Sequence, residues 1–258
     1  MKHRILITND DGIMAPGLAV LERIARSLTD DVWVVAPDLE RSGASRSVSL
    51  AEPIRIRQFD ERRFSLLRGT PADCAVIGLR EILREHPPTL VLSGVNRGAN
   101  VADELTYSGT VAGAMEAAGC GVRAIAMSQA FTLGSPVRWQ TAERFGPPLV
   151  AHLAALDVPR GVFHNVNFPD VEPDAVAGVR AARQGRWHRI HLDVDNRIDA
   201  RNFPYAWLSF HHEAGEPPED TDLGAVHRGW VSVTPVHADI THHDSLEGLT
   251  GALAGLRL

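Results

Sequence analysis

The stretch richest in chemistry is Thr8-Asn9-Asp10-Asp11-Gly12, where a short apolar run, Ile5-Leu6-Ile7, stops at two adjacent carboxylates and a glycine. Carboxylates buried at a strand end are costly unless they are paired or protonated. A hard divalent cation held by their oxygens removes that cost. A plainer role for Asp10 is to cap the helix expected near Pro16. Two other polar loops carry matching donors. One holds Ser42, Ser45 and Arg46; the other, Ser93-Gly94-Val95-Asn96-Arg97-Gly98, holds Asn96. Two carboxylates, a hydroxyl and an amide carbonyl form an all-oxygen set, which suits Mg²⁺ or Mn²⁺ and suits zinc poorly. A fourth stretch, Tyr107-Ser108-Gly109-Thr110, leads into a run of small residues ending at Gly119. Glycine beside hydroxyl residues at a helix N-terminus exposes backbone N–H groups to an anion, with the helix dipole aligned to help. Capping by Ser108 or Thr110 would use the same residues, and Gly69-Thr70 has the same double reading. Asn96, Arg97 and Asn100 can equally satisfy turn backbone.

The elements that must position these residues follow from periodicity. Residues 4–7 read as a buried strand, and Gly17 to Leu28 as an amphipathic helix with Leu18, Leu21, Ile24 and Leu28 on one face. A second strand, Val32 to Ala36, completes a βαβ unit whose strands should be parallel neighbours. Residues 48–68 alternate like a hairpin, a helix runs from about Cys74 to Arg84, and strands follow at Thr89–Leu92 and Ala124–Met127. A helix over 138–156 and a strand over 162–169 continue the alternation. This is the pattern of an α/β protein with a doubly wound, mainly parallel sheet. In such sheets ligands bind beyond the carboxyl ends of the strands, at the switch in strand order. Residues 180–230 read as hairpins and a long loop, with Glu213 to Asp222 exposed. Trp230 to Val236 reads as a strand and Ser245 to Leu256 as a terminal amphipathic helix. The whole of 1–258 is expected to form one domain, with a core over about 1–180 and a hairpin and C-terminal extension over about 181–258.

Composition narrows the function. The 258 residues are 44% hydrophobic and 22% charged, with a formal net charge of −6. That balance gives no electrostatic footprint for a nucleic acid polymer or an anionic membrane surface, so a small anionic ligand needs local compensation. The two cysteines, Cys74 and Cys120, sit in apolar surroundings and read as reduced, buried thiols. The apolar run after Met1-Lys2-His3-Arg4 is too short for a signal peptide, and no stretch is long enough to span a bilayer. Cytoplasm is the expected compartment. G-x-G-x-x-G after a strand, a Walker-type phosphate loop and a G-x-S-x-G elbow are all missing from the sequence. His211-His212-Glu213 and His242-His243-Asp244 lack ligand spacing and read as solvated. Asp193-Val194-Asp195 lacks the strand-to-helix context of an aspartyl-phosphate motif.

Seven stretches carry a resemblance: TNDDGIMAPG (8–17), VAPDLERSGASRSVSL (35–50), GTPADC (69–74), SGVNRGAN (93–100), YSGTVAGAMEA (107–117), NVNFP (165–169) and DTDLGAVHRGWVSVTPVHADIT (220–241). In order and content they resemble the SurE (survival protein E) family of metal-dependent nucleotidases and acid phosphatases. The resemblance covers nearly the full length and weakens over 183–219. It implies a Rossmann-like core whose C-terminal part exchanges between subunits of a homodimer or homotetramer. It implies one divalent metal ion per subunit, Mn²⁺ or Mg²⁺, held by Asp10, Asp11, Ser42 and Asn96. It places Asn9, Ser45, Ser108, Gly109 and Thr110 near a phosphate, and casts Asp10, Asp11, Asn96 and Ser108 as catalytic. The implied reaction is hydrolysis of nucleoside 5′-monophosphates, and of 3′-monophosphates, by in-line attack of water. Asp10 or Asp11 could also act as base or nucleophile. Short-chain exopolyphosphatase or broad acid phosphatase activity is one rival, for which Arg180, Arg183, Arg186 and Arg189 are the candidate basic channel or else a solvated hairpin face. A nucleotide sensor without turnover is the other.

Overall fold

The computed structural model describes residues 3–186, 190–212 and 215–256. In chain order the elements are β1 (Ile5–Thr8), α1 (Pro16–Arg26), β2 (Val32–Pro37), β3 (Arg55–Asp60), β4 (Arg63–Leu67), α2 (Pro71–Ile77), β5 (Leu90–Arg97), α3 (Gly109–Gly119) and β6 (Arg123–Gln129). They continue with α4 (Trp139–Ala155), β7 (Val162–Phe168), β8 (Gly178–Ala181), β9 (Ile190–Ile198), β10 (Pro204–His212), α5 (Asp222–His227), β11 (Trp230–His237) and α6 (His243–Leu253).

Alternation within the short apolar strands decides which helices pack where, because successive side chains leave a strand on opposite faces. Ile5 and Ile7, Val32 and Val34, Leu90 and Leu92 join one core with α1 and α4. Leu6, Val35 and Val91 join the other, with Cys74 of α2 and Val111 and Ala114 of α3. Strands buried on both faces read as continuous apolar runs, which is why the sequence shows them clearly. Leu21 of α1 is fully buried, and truncating it to Ala should cost about 2–5 kcal/mol.

Nine strands form one sheet in the order β3-β4-β2-β1-β5-β6-β7-β11-β8, and β9 and β10 form a separate antiparallel pair. From β4 through β7 all pairings are parallel. Antiparallel β3 flanks one side and antiparallel β11 the other. The sheet is the expected doubly wound, mainly parallel one. From β1 the chain winds outward through β2, then returns to β5 and winds the other way, so the switch in strand order lies between β1 and β5.

Several local expectations need correction. α1 starts at Pro16 with Ala15 as its cap residue and no side-chain cap, so Asp10 does not cap it; proline at the first helical position needs no N–H partner. The helix expected over Cys74–Arg84 begins earlier, at a Thr70–Asp73 capping box, and gives way after Ile77 to a wider turn over Gly78–Ile82. The Glu213–Asp222 segment is not uniformly exposed: Glu213 lies outside the described residues, and Asp222 is fully buried at the start of α5. Arg180 and Arg183 do not share a hairpin face; Arg180 stacks on Trp230 and Arg183 pairs with Asp220. Arg189 lies outside the described residues, as do the side chains of His211 and His212. β11, from beyond residue 180, is inserted between β7 and β8 of the main sheet. Cys74 and Cys120 are free thiols, Cys74 buried and Cys120 half-buried.

Candidate active site at the carboxyl ends of β1 and β5

β1 delivers Asn9 and Asp10 into the interior and Asp11 to its edge. Gly12, at φ +101°, turns the chain sharply, a conformation that glycine adopts without strain. The Asn9 side-chain N–H closes this turn on the Gly12 carbonyl at 2.9 Å. Its Oδ1 is buried with no hydrogen-bond partner. The loop after β2 crosses the turn: Arg41 N–H donates to the Asp10 carbonyl at 2.7 Å, and Ile13 N–H to that of Pro37 at 2.8 Å.

The Asp10 carboxylate abuts the N-terminus of α3. Thr110 Oγ1 donates to Asp10 Oδ1 in a short hydrogen bond. A Cβ on Gly109 would stand 2.8 Å from Asp10 Cβ and 3.0 Å from its Oδ2, so only glycine lets the helix come this close. Ser108 caps the helix, accepting from Val111 N–H at 3.1 Å, and keeps its own hydroxyl hydrogen for another partner. Burial raises the Asp10 pKa to about 6; Thr110 opposes the rise and the neighbouring Asp11 charge adds to it.

Asp11 is turned toward β5. Its Oδ2 accepts the Arg97 N–H at 3.0 Å. Burial raises its pKa as well, Arg97 counters, and the Glu40 charge pushes it further up. Asn96, one residue before Arg97, is half-buried, with Nδ2 donating to Gly98 O at 2.9 Å.

The serines of the β2 loop are placed differently. Ser42 is exposed and donates to Glu40 Oε1 at 2.9 Å. Ser45 Oγ donates to the Thr106 carbonyl at 2.7 Å and its N–H to that of Tyr107 at 3.1 Å, tying the loop to the turn before α3. Asp10, Gly109 and Thr110 are therefore in direct contact. Asp11 and Asn96 flank them from β1 and β5. Ser42 and Ser45 reach the same rim by way of Glu40 and Thr106.

The donor set fits a hard cation. It comprises two desolvated carboxylates with raised pKa values, an unpartnered buried Asn9 Oδ1, an amide oxygen and a hydroxyl, all of them oxygen. Among the described residues no group of three or more His, Cys, Asp or Glu side chains is placed to hold a metal.

Two features escaped the sequence. Glu40 stands near enough to Asp11 to raise its pKa; its place two residues before Ser42, in a loop next to the carboxylates, was the available signal. Behind the site, Asn167 both donates to and accepts from the Asn100 backbone, at 3.0 and 2.7 Å. Asn165 adds a bond to the Asn100 carbonyl at 2.8 Å. Asp222 holds the neighbouring turn, accepting from Ala102, Gly185 and Leu223 N–H at 3.0, 2.8 and 2.7 Å. No helix among the described residues is long and apolar enough to cross a membrane.

The family model described as survival protein SurE matches residues 5–191. A protein of Parvibaculum lavamentivorans named 5′-nucleotidase SurE is 49% identical over 255 residues, covering 98% of this chain and 92% of that one. Its namesake in Brucella suis is 52% identical over 253 residues, covering 97% and 98%. The crystal structure of the SurE protein from Aquifex aeolicus matches with a TM-score of 0.81 at 35% identity, over 96% of this chain and 98% of that one. With the fold and nearly the whole length in common, this chain belongs to the survival protein SurE family.

Proposed function

We propose that the chain is a divalent-metal-dependent 5′-nucleotidase that hydrolyses nucleoside 5′-monophosphates, and 3′-monophosphates as a secondary substrate. One observation carries the reading: a buried carboxylate, Asp10, is held against the N-terminus of α3 by Thr110 and Gly109. A group that favours a cation and a helix end that favours a phosphate thus share one wall. The names of the curated relatives support the nucleotidase reading.

Asp10, Asp11, Ser42 and Asn96 would hold Mn²⁺ or Mg²⁺, for which Ser42 must leave Glu40. When bound, such an ion neutralises phosphate charge and acidifies water. The chain's own groups do the rest. The Gly109 backbone N–H at the start of α3 faces the phosphate oxygens, and Ser108, Ser45 and Asn9 supply further polar contacts as charge redistributes, while Thr110 stays with Asp10. Thr110 orients Asp10 through its hydroxyl. Water attacks phosphorus in line, the P–O5′ bond breaks, and the nucleoside leaves as its alcohol after taking up a proton. Without the ion, burial raises the Asp10 pKa to about 6; a bound cation would favour the charged form again and leave Asp10 as a ligand.

The reading extends to the assembly and compartment. Residues 1–258 act as one unit, a homodimer or homotetramer in which the C-terminal part exchanges. Leu192, Val194, Leu208 and Phe210 fall on one face of the β9–β10 hairpin by register and are all exposed; such a face is the kind a second subunit covers. A cytoplasmic setting suits the free thiols.

The test is phosphate release from nucleoside 5′- and 3′-monophosphates, p-nitrophenyl phosphate and short polyphosphate, first with chelator and then with Mn²⁺, Mg²⁺, Ca²⁺ or Zn²⁺ restored. Release from the nucleotides with Mn²⁺ or Mg²⁺ is expected. No metal-dependent release from any substrate would leave the sensor reading in its place.

A further inference from the structure

A cavity of about 470 Å³ opens where β6 and β7 begin, at the end of the sheet away from the catalytic rim. Its size falls within the range of roughly 300–1,000 Å³ typical of small-molecule sites. Cys120 and Gly121, just past the end of α3, form one side, and Pro159 and Arg160, in the loop before β7, form the other. Arg123 enters from the start of β6. α3 is 11 residues long, so about 16 Å of helix separates this end from Gly109 and Asp10. The cavity is a separate place on the molecule.

Arginines gather around it. Arg123 and Arg160 line it, and Arg80 approaches through Cys120, with Nη2 3.6 Å from Sγ. Arg123 Nη1 donates to the Ala154 carbonyl at 2.7 Å, which anchors the guanidinium and leaves its other N–H groups for a ligand. Arg160 Nε lies 3.6 Å from where a Cβ on Gly121 would stand, so the side chain lies across the end of α3. Among the described residues none of the three pairs with a carboxylate. By contrast Arg46, Arg138 and Arg183 each pair with one. In a chain of net charge −6, a local excess of positive charge is the compensation that a small anion needs. The end of α3 works against an anion with roughly half a negative charge. Its Glu116, Ala117 and Ala118 carbonyls are already taken by Cys120, Val122 and Gly121 N–H groups at 3.0, 3.0 and 2.9 Å, and three full positive charges outweigh it.

We propose that this cavity is a second ligand site, for a small anion of the phosphate or diphosphate class, gripped by Arg123 and Arg160 with Arg80 adding charge. Guanidinium forks match the paired oxygens of a phosphate. A diphosphate carries enough charge to engage all three. The site needs neither a metal nor Asp10, and so stands apart from the reaction at the rim.

Cys120 reports on the cavity because it lines it and is half-buried, whereas Cys74 is buried. The full chain is alkylated with N-ethylmaleimide at fixed ionic strength, without added divalent metal that would chelate the probes. Pyrophosphate, inorganic phosphate, citrate and sodium chloride are compared, and modification of Cys120 is followed by peptide mass spectrometry. Pyrophosphate should slow Cys120 alkylation saturably, by about fivefold or more, as occupancy closes access to the thiol. Inorganic phosphate should do the same at higher concentration. In Arg123→Gln and in Arg160→Gln the half-saturating concentration should rise about tenfold, the scale of losing one charge-assisted contact. Arg160 is exposed, so Arg160→Gln carries the test if Arg123→Gln does not fold. Arg84→Gln, at an exposed arginine paired with Glu85, should bind as the unaltered chain does. Absence of slowing by pyrophosphate would overturn the proposal, and so would equal slowing by sodium chloride. An unchanged half-saturating concentration in the folded variants would overturn it likewise. Equal protection by citrate would overturn the phosphate class. Pyrophosphate bound only at the catalytic rim leaves Cys120 alkylation unchanged and counts against the site.

Discussion

Asp10 and Asp222 are both buried aspartates, and burial raises the pKa of both. They differ in what surrounds them. Asp222 accepts three backbone N–H groups, from Ala102, Gly185 and Leu223, and ties together turns that are distant in the sequence. Asp10 draws mainly on the Thr110 hydroxyl, with its own and Thr110's backbone N–H groups helping less, and it faces a second carboxylate, Asp11. A buried carboxylate with its hydrogen bonds filled by the backbone is a structural clamp. One left short of donors beside a like charge is poised for a ligand that supplies positive charge.

The sharpest way to break this comparison is to neutralise each aspartate. Asp10→Asn keeps the shape and the Thr110 hydrogen bond but removes the charge. Activity should fall by roughly 10³-fold or more, the scale of losing a preorganised electrostatic group. Stability of the metal-free protein should not fall, because a pKa raised from 3.8 to about 6 means the buried charge costs about 3 kcal/mol at neutral pH. Phosphate-release assays and melting of the same sample decide it: near-normal turnover would remove Asp10 from the site.

Asp222→Asn should behave in the opposite way. An amide cannot accept all three N–H groups without turning its own NH₂ toward one of them. The expected loss is about 3 kcal/mol of stability, or roughly 6–12 °C in Tm at this chain length. Molecules that remain folded should keep most of their kcat. A variant with unchanged Tm and collapsed kcat would reverse the two roles.

Gly109→Ala probes the wall where helix and carboxylate meet. Its methyl would sit 2.8 Å from Asp10 Cβ and 2.9 Å from Pro71 Cγ, so the α3 N-terminus must retreat. A drop of about tenfold in kcat/KM is expected, with about 1–3 kcal/mol of destabilisation. Wild-type kinetics would show that the contact between helix and Asp10 has no part in turnover.

The two regions were unequally legible in the sequence, for physical reasons. Asp10 and Asp11 stand out because adjacent charges end an apolar run, and the strand rules place such a run's end at a ligand-binding rim. Ser108 to Thr110 stand out because a glycine among hydroxyl residues precedes a helix. Asp222 was hidden: Glu216-Pro217-Pro218-Glu219-Asp220 before it reads as surface, while its partners Ala102 and Gly185 are remote in sequence and offer only backbone N–H, which no side-chain pattern encodes. The same limit hid Glu40's approach to Asp11, which depends on how the β2 loop folds over Gly12. The parallel strands were legible from their apolar runs. The insertion of β11 beside β7 was not, because antiparallel pairing to a distant strand leaves no local signature.

The smallest effect expected is also the one that isolates the charge at Asp10. Its folded-state pKa lies above the unfolded value, so the group favours the folded state fully below about pH 3.8. That contribution is lost as pH rises toward and through about 6. Asp11 shifts in the same direction and adds to the effect. At pH 7.5 Asp10 is charged and unpaired with any cation, so Mn²⁺ should raise Tm by several degrees, about 2–4 °C for each kcal/mol. At pH 5 protonated Asp10 competes with the ion, and the same Mn²⁺ concentration should raise Tm by much less. In Asp10→Asn the dependence on pH should flatten, while in Asp222→Asn it should persist, because that clamp has backbone donors in place of a cation. Equal Mn²⁺ stabilisation at both pH values in the unaltered protein would mean that the ion binds away from Asp10, and the contrast between the two aspartates would lose its functional half.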